Sequence, residues 1–149
     1  MVGIVKKWSE WILIEHKSKP LLDSIRYKGP AVYKIRIVKN NKPFELKRLG
    51  NNDKDGILYI GQTTDFKRRI RDFFNGPHSG GELYRIIKVD GKLRGKMGDY
   101  KLHVKFLKLN RNQLKNVEAQ ELLNYTMKYC EPPPINSSMP MKAWDLKVR

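Results

Sequence analysis

A chain of 149 residues, 40% of them hydrophobic, is long enough for one domain with a core of its own. Lys+Arg 31 against Asp+Glu 15 leaves a formal net charge of +16, which disfavours cationic partners and points to polyanions, nucleic acid first. The lone cysteine, Cys130, excludes an internal disulfide, a Cys-based zinc site and an iron–sulfur cluster, and no apolar run is long enough for a membrane span, so the expected setting is cytoplasmic, away from membranes.

In chain order, residues 6–26 read as two short helices broken at Pro20, because Trp8, Trp11, Ile12 and Ile14, then Leu21, Leu22 and Ile25, recur near helical spacing. Residues 31–38 are β-branched and alternate, which predicts a strand with Tyr33, Ile35 and Ile37 on one face. A turn at residues 40–43 leads into a polar loop or irregular hairpin arm over 44–56, and residues 57–60 predict a second strand, antiparallel to the first. Gly61 then allows close backbone approach, Thr63 and Thr64 offer hydroxyls, and Asp65 suits a helix start. The helix that follows carries Phe66, Ile70 and Phe73 or Phe74 inward and Lys67, Arg68, Arg69 and Arg71 on its remaining surface, a phosphate-facing pattern. Residues 75–81 break the chain, and residues 83–87 start a further short helix. Residues 83–108 hold eight Lys or Arg against two Asp, so Lys92, Arg94 and Lys96 join Lys67, Arg68 and Arg71 as candidate nucleic-acid contacts. Leu102, Val104 and Phe106 alternate with His103 and Lys105 in a third strand, with His103, like His16, read as a solvent or packing residue. Asn110 or Asn112 caps a last helix, which Pro132 to Pro134 ends. Cys130 is expected to be a small core residue.

A strand ending in Val32-Tyr33, a second reading Tyr59-Ile60-Gly61-Gln62-Thr63, Arg69 ten residues after Tyr59, a later helix with glutamates and the Pro133-Pro134-Ile135-Asn136 return together resemble the GIY-YIG nuclease family over residues 31–136. The resemblance implies an α+β fold, a small three-stranded antiparallel sheet flanked by helices, in a single domain: a helical extension over 1–28, a catalytic core over 29–136 and a tail over 137–149. It implies a DNA endonuclease, monomeric or homodimeric, acting on duplex, structured or branched DNA. Tyr33, Tyr59, Arg69 and Glu118 stand at its catalytic positions, Glu118 also as ligand of Mg2+ or Mn2+, with Gly61 and Asn136 structural. Spacing to Asn136 favours Glu121 as the metal ligand; the stripe Leu114, Glu118, Leu122, Tyr125 favours Glu118, which is the residue assigned. The chain departs from the family in the longer interval between Tyr33 and Tyr59 and in Phe73, where relatives carry His or Tyr; His78, Tyr84 or a lysine would have to stand in.

The residue types suit the chemistry. Phosphodiester hydrolysis needs a base for water, a cation against the charge that develops on phosphorus, and stabilisation of the departing oxygen. Tyrosine, with an ordinary pKa of about 10, serves as base only beside a cation or metal, whereas arginine grips phosphate with a planar fork. Mg2+ accepts a single carboxylate with waters. The rivals are a non-catalytic nucleic-acid-binding module with the same fold and an RNA-associated structural protein.

Overall fold

The computed structural model describes residues 7–14, 25–75 and 100–136. They form one antiparallel sheet of five strands and two helices, an α+β arrangement. The strands are β1 (Ile12–Ile14), β2 (Ala31–Lys39), β3 (Lys42–Pro43), β4 (Ile57–Thr63) and β5 (Tyr100–Lys108); the helices are α1 (Phe66–Asn75) and α2 (Leu114–Tyr129). None of the described helices is long and apolar enough to cross a membrane.

β2 is the axis of the sheet. Its whole length pairs with β5, from Ala31 opposite Lys108 to Lys39 opposite Tyr100, while its other edge takes β4 and, end to end with it, β3. Alternation then sorts side chains onto two faces. Tyr33, Ile35 and Ile37 join Leu58, Leu102 and Val104 under α1, which contributes Phe66 and Ile70. Val32, Ile57, Ile60 and Leu107 face α2, which contributes Leu114, Tyr125 and Tyr129.

The sequence pattern predicts three strands; two more are present. β1 lies where a helix is expected: Ile12 pairs with Val104 and Ile14 with Leu102. A run of Ile-Leu-Ile beside the open edge of β5 gains ladder hydrogen bonds that outweigh a weak helical spacing, and so short a helix would have been marginal alone. β3 arises because Asn40 and Asn41 both take positive φ (51° and 63°), the backbone of a two-residue hairpin turn.

The insertion over 44–56 is built around a buried carboxylate. Asp53 is fully buried; its Oδ1 accepts from the amides of Asp55 (2.8 Å) and Gly56 (3.2 Å), and its Oδ2 from the amide of Ile57 (2.9 Å) and the Tyr125 hydroxyl (2.8 Å). Burial, and then the Asp53 carboxylate it donates to, push the Tyr125 phenol well above its ordinary value. The same insertion closes the end of α2: Gly50 N–H donates to the Tyr129 carbonyl (2.8 Å), Leu49 N–H to Glu131 (2.6 Å), and Arg48 pairs with Glu131 (3.0 Å) and the Pro132 carbonyl. Carbonyls left over at a helix terminus are thereby satisfied. Cys130 is not in the core: it is exposed at the left-handed cap of α2, φ 64°. The short helix expected over 83–87 lies outside the described residues.

Candidate active site

Three of the four catalytic candidates meet on the α1 face. Arg69 Nε donates to the Tyr33 hydroxyl (2.9 Å) and the guanidinium also hydrogen-bonds Tyr59; the two tyrosine rings lie 6.0 Å apart and tilted, and their hydroxyls are linked. Phe66 packs on Tyr33 at 6.3 Å from the other side. Because a guanidinium only donates, the Tyr33 proton must go to an acceptor, and the Tyr59 oxygen is the one at hand. Burial pulls the Arg69 guanidinium down, but the tyrosine hydroxyls more than offset it and the group stays charged.

The tyrosines differ in access. Tyr33 is fully buried, and burial, followed by the neighbouring Tyr59, drives its phenol far above its ordinary value despite the opposing pull of Arg69. It keeps its proton and is out of reach of water. Tyr59 is only half-buried.

A β-bulge aims Tyr59. The β2–β4 register runs Ile35 opposite Tyr59 and then Arg36 opposite Ile57, so Leu58 is the extra residue, and Leu58 and Tyr59 both turn to the α1 face. Strict alternation would have placed them on opposite faces. Gly61 sits inside β4, which runs on to Thr63, instead of in a turn, and the group that approaches it is the tyrosine pair itself. A Cβ there would lie 2.6 Å from the Tyr33 oxygen and 2.6 Å from the Tyr59 ring. Gly61→Ala is therefore expected to cost about 1–3 kcal/mol, the range for overpacking a filled site. Thermal unfolding of the variant checks this; an unchanged midpoint would mean that the rings yield freely.

The start of α1 is closed to anions. Asp65 Oδ1 accepts from the Arg68 amide (3.1 Å), and the amides of Phe66 and Lys67 donate to the carbonyls of Gly29 and Tyr27 (3.1 Å each). The donors that a phosphate would use are committed to the fold, which leaves phosphate contact here to side chains. Arg68 and Arg71 are exposed and Lys67 half-buried. Lys92, Arg94, Lys96, His78 and Tyr84 lie outside the described residues.

Glu118 is held apart from the cluster. Its Oε1 accepts from Gln62 Nε2 (3.3 Å), one residue along β4 from Gly61 and of the α2-facing parity. Burial lifts its carboxyl above the ordinary value, partly offset by Gln62. Glu121, the alternative ligand, is half-buried and bridges to Lys34 at 2.9 Å. A cation would relieve the desolvated Glu118 carboxylate but would have to displace Lys34 from Glu121, so this donor set fits Mg2+ at Glu118 better. No group of three or more His, Cys, Asp or Glu that could enclose a metal occurs among the described residues. Asn136 acts on the outer edge of β4: its Oδ1 accepts from Ile60 N–H and its Nδ2 donates to Ile60 C=O, both at 2.8 Å.

The opposite face carries a group of cations that the motif reading passed over. Lys34 stands directly across from Lys105, and Arg36 across from His103. Their indices were visible as the polar half of each strand's alternation. Arg36 donates to His103 Nδ1 (3.1 Å from Nη2), so that nitrogen is unprotonated and the ring neutral. Burial, Arg36 and Lys101 all push the imidazole below its ordinary 6.5. With a depressed folded value, the unfolded chain binds the proton first as pH falls, so stability is present above 6.5 and is lost below it. The thermal midpoint is expected to fall between about pH 7 and pH 5 more steeply than in His103→Gln; parallel slopes would remove His103 as the cause.

Comparison with protein-family models, with curated proteins and with solved structures gives no match to this chain.

Proposed function

We propose that the protein is a metal-dependent endonuclease that hydrolyses phosphodiester bonds in DNA. The observation that carries this reading is the Tyr33–Arg69–Tyr59 cluster, in which a charged guanidinium and a buried phenol both converge on the oxygen of a second, more accessible tyrosine. In this reading Arg69 grips the scissile phosphate and offsets the charge that develops on it. Tyr59 orients the attacking water and takes part in removing its proton. Tyr33 touches neither; it is a positioning residue that fixes Arg69 and Tyr59. Glu118 would hold the divalent cation, which supplies Lewis-acid stabilisation of the phosphate and leaving oxygen. The net charge of +16 supplies long-range attraction to the polyanion.

The separation of Glu118 from the cluster favours one second reading, a DNA-binding module that keeps the three residues as packing. Supercoiled plasmid, incubated with the full chain in Mg2+ or Mn2+ and in EDTA, separates the two. Metal-dependent nicking that Tyr59→Phe abolishes supports the enzyme; plasmid binding with no nicking in either metal overturns it.

A further inference from the structure

On the face of the sheet away from Tyr33 and Arg69, a cleft of about 260 Å³ opens over the even-numbered positions of β2. One wall is the segment that bears Trp8 and Trp11, pinned by Ser9 N–H to the Phe106 carbonyl and by Phe106 N–H to Ser9 Oγ, both at 2.9 Å. The other wall is the C-terminal half of α2, with Asn124 exposed and Tyr129 set deeper in the lining. Ile57 and Ile60 make an apolar floor, and Lys34, Arg36, Lys105 and Lys128 face only two carboxylates, Asp55 and Glu121.

This arrangement is costly for the fold alone. Like charges directly across an antiparallel pair repel, and here Lys34 opposes Lys105 two rungs from Arg36 and His103, on the same face. Lys105 is half-buried, and burial, with Lys34 next, holds its ammonium below the ordinary value. The tryptophans offset part of the repulsion: Arg36 lies 4.2 Å from the Trp11 ring centre, Lys34 lies 4.7 Å from Trp8, and Lys105 lies 4.9 Å and 5.2 Å from Trp11 and Trp8. Glu121 pairs directly with Lys34, and Glu121 and Asp55 together offset part of the charge on Lys105. The lining keeps an excess of two positive charges, which matches a phosphate monoester of charge about −1.5 to −2.

We propose that this cleft binds a single nucleotide, its phosphate on Lys34, Arg36 and Lys105, its base on the Ile57–Ile60 floor against Tyr129, and Asn124 at the base edge. At about 260 Å³ the cleft lies just under the usual range for ligand pockets, about 300 to 1,000 Å³, so its ligand is no larger than one nucleotide and a dinucleotide cofactor is excluded. The phosphate also offsets the positive charge that Asp55 and Glu121 leave uncompensated. A free mononucleotide offers that monoester; one residue of a DNA single strand offers the same base and sugar with a diester phosphate of charge about −1. The site is independent of the Arg69 cluster, on the other face of the sheet.

Isothermal titration of the full chain with thymidine 5′-monophosphate, a short oligo(dT), ribose 5-phosphate and inorganic phosphate tests the proposal. Nucleotide or oligonucleotide is expected to bind at least about tenfold more tightly than inorganic phosphate, and Lys105→Gln to weaken that binding by about tenfold or more. Lys105→Gln also removes a like-charge contact, so its thermal midpoint should hold or rise, which separates lost binding from lost fold. Asn124→Ala, on an exposed residue, should weaken thymidine monophosphate and leave inorganic phosphate unchanged. Tighter binding of the monophosphate identifies a free nucleotide as the ligand; tighter binding of oligo(dT) identifies a strand. Equal affinity for phosphate and nucleotide, no binding of either thymidine ligand, or normal binding by Lys105→Gln overturns the site.

Discussion

Arg69→Ala is expected to lower the rate of plasmid nicking by about 10³-fold, roughly 4 kcal/mol in the barrier, while DNA affinity stays within several-fold. The asymmetry follows from numbers of contacts. Binding a polyanion with a chain of charge +16 sums many phosphate interactions, of which one is removed, whereas no other described side chain bridges both tyrosine hydroxyls. Arg69→Lys sharpens the test. It keeps the charge but loses the planar fork that can hold two hydroxyls and a phosphate together, so it should fall much closer to Ala than to the parent. Single-turnover nicking and filter binding on the same preparations read the two quantities separately. If Arg69→Lys cuts normally, charge alone suffices and the assigned geometry is wrong; if Arg69→Ala loses affinity as much as rate, its role is in binding.

The second large effect concerns stability. Asp53→Ala should destabilise the fold by about 3–5 kcal/mol and lower the thermal midpoint by roughly 10 °C or more, because it strands buried donors that are desolvated whether or not they find a partner. Those donors are the amides of Gly56 and Ile57 and the Tyr125 hydroxyl, with the part-buried amide of Asp55 beside them. Tyr125→Phe removes only one of them and leaves Asp53 three amides, so its cost should be near about 1 kcal/mol. A double-mutant cycle in urea gives the coupling between the two. An Asp53→Ala variant within about 1 kcal/mol of the parent would mean that water replaces the carboxylate.

The elements legible in the sequence are those whose own residues decide them. β2, β4, β5 and both helices follow from alternation, helical spacing and the breakers at Gly29-Pro30 and Pro132 to Pro134. β1 was not legible, since Ile12 to Ile14 become a strand through an edge of β5 some ninety positions on. Nor was the bulge at Leu58, which depends on how β4 seats against Ile35 and Arg36. In the candidate site, the family resemblance grouped Tyr33, Tyr59 and Arg69 in advance, but their unequal burial is a property of packing under Phe66 and is silent in the motif. The Asp53 cradle hid inside a segment whose polarity reads as solvent loop. The cationic cleft is silent in the sequence for a different reason: Lys34, Arg36 and Lys105 occupy the polar half of each strand's alternation, where outward residues are the rule.

The amide of Asn136 occupies both hydrogen-bonding groups of Ile60 on the outer margin of β4, as an added strand would. It comes from beyond α2, so during synthesis a ribosome-bound chain that has emerged only through α1 holds β4 with that margin open, and the main partner of β2, β5, has not yet been made. Two edges of the sheet, one on β2 and one on β4, are therefore closed only by residues that follow α1 in the chain.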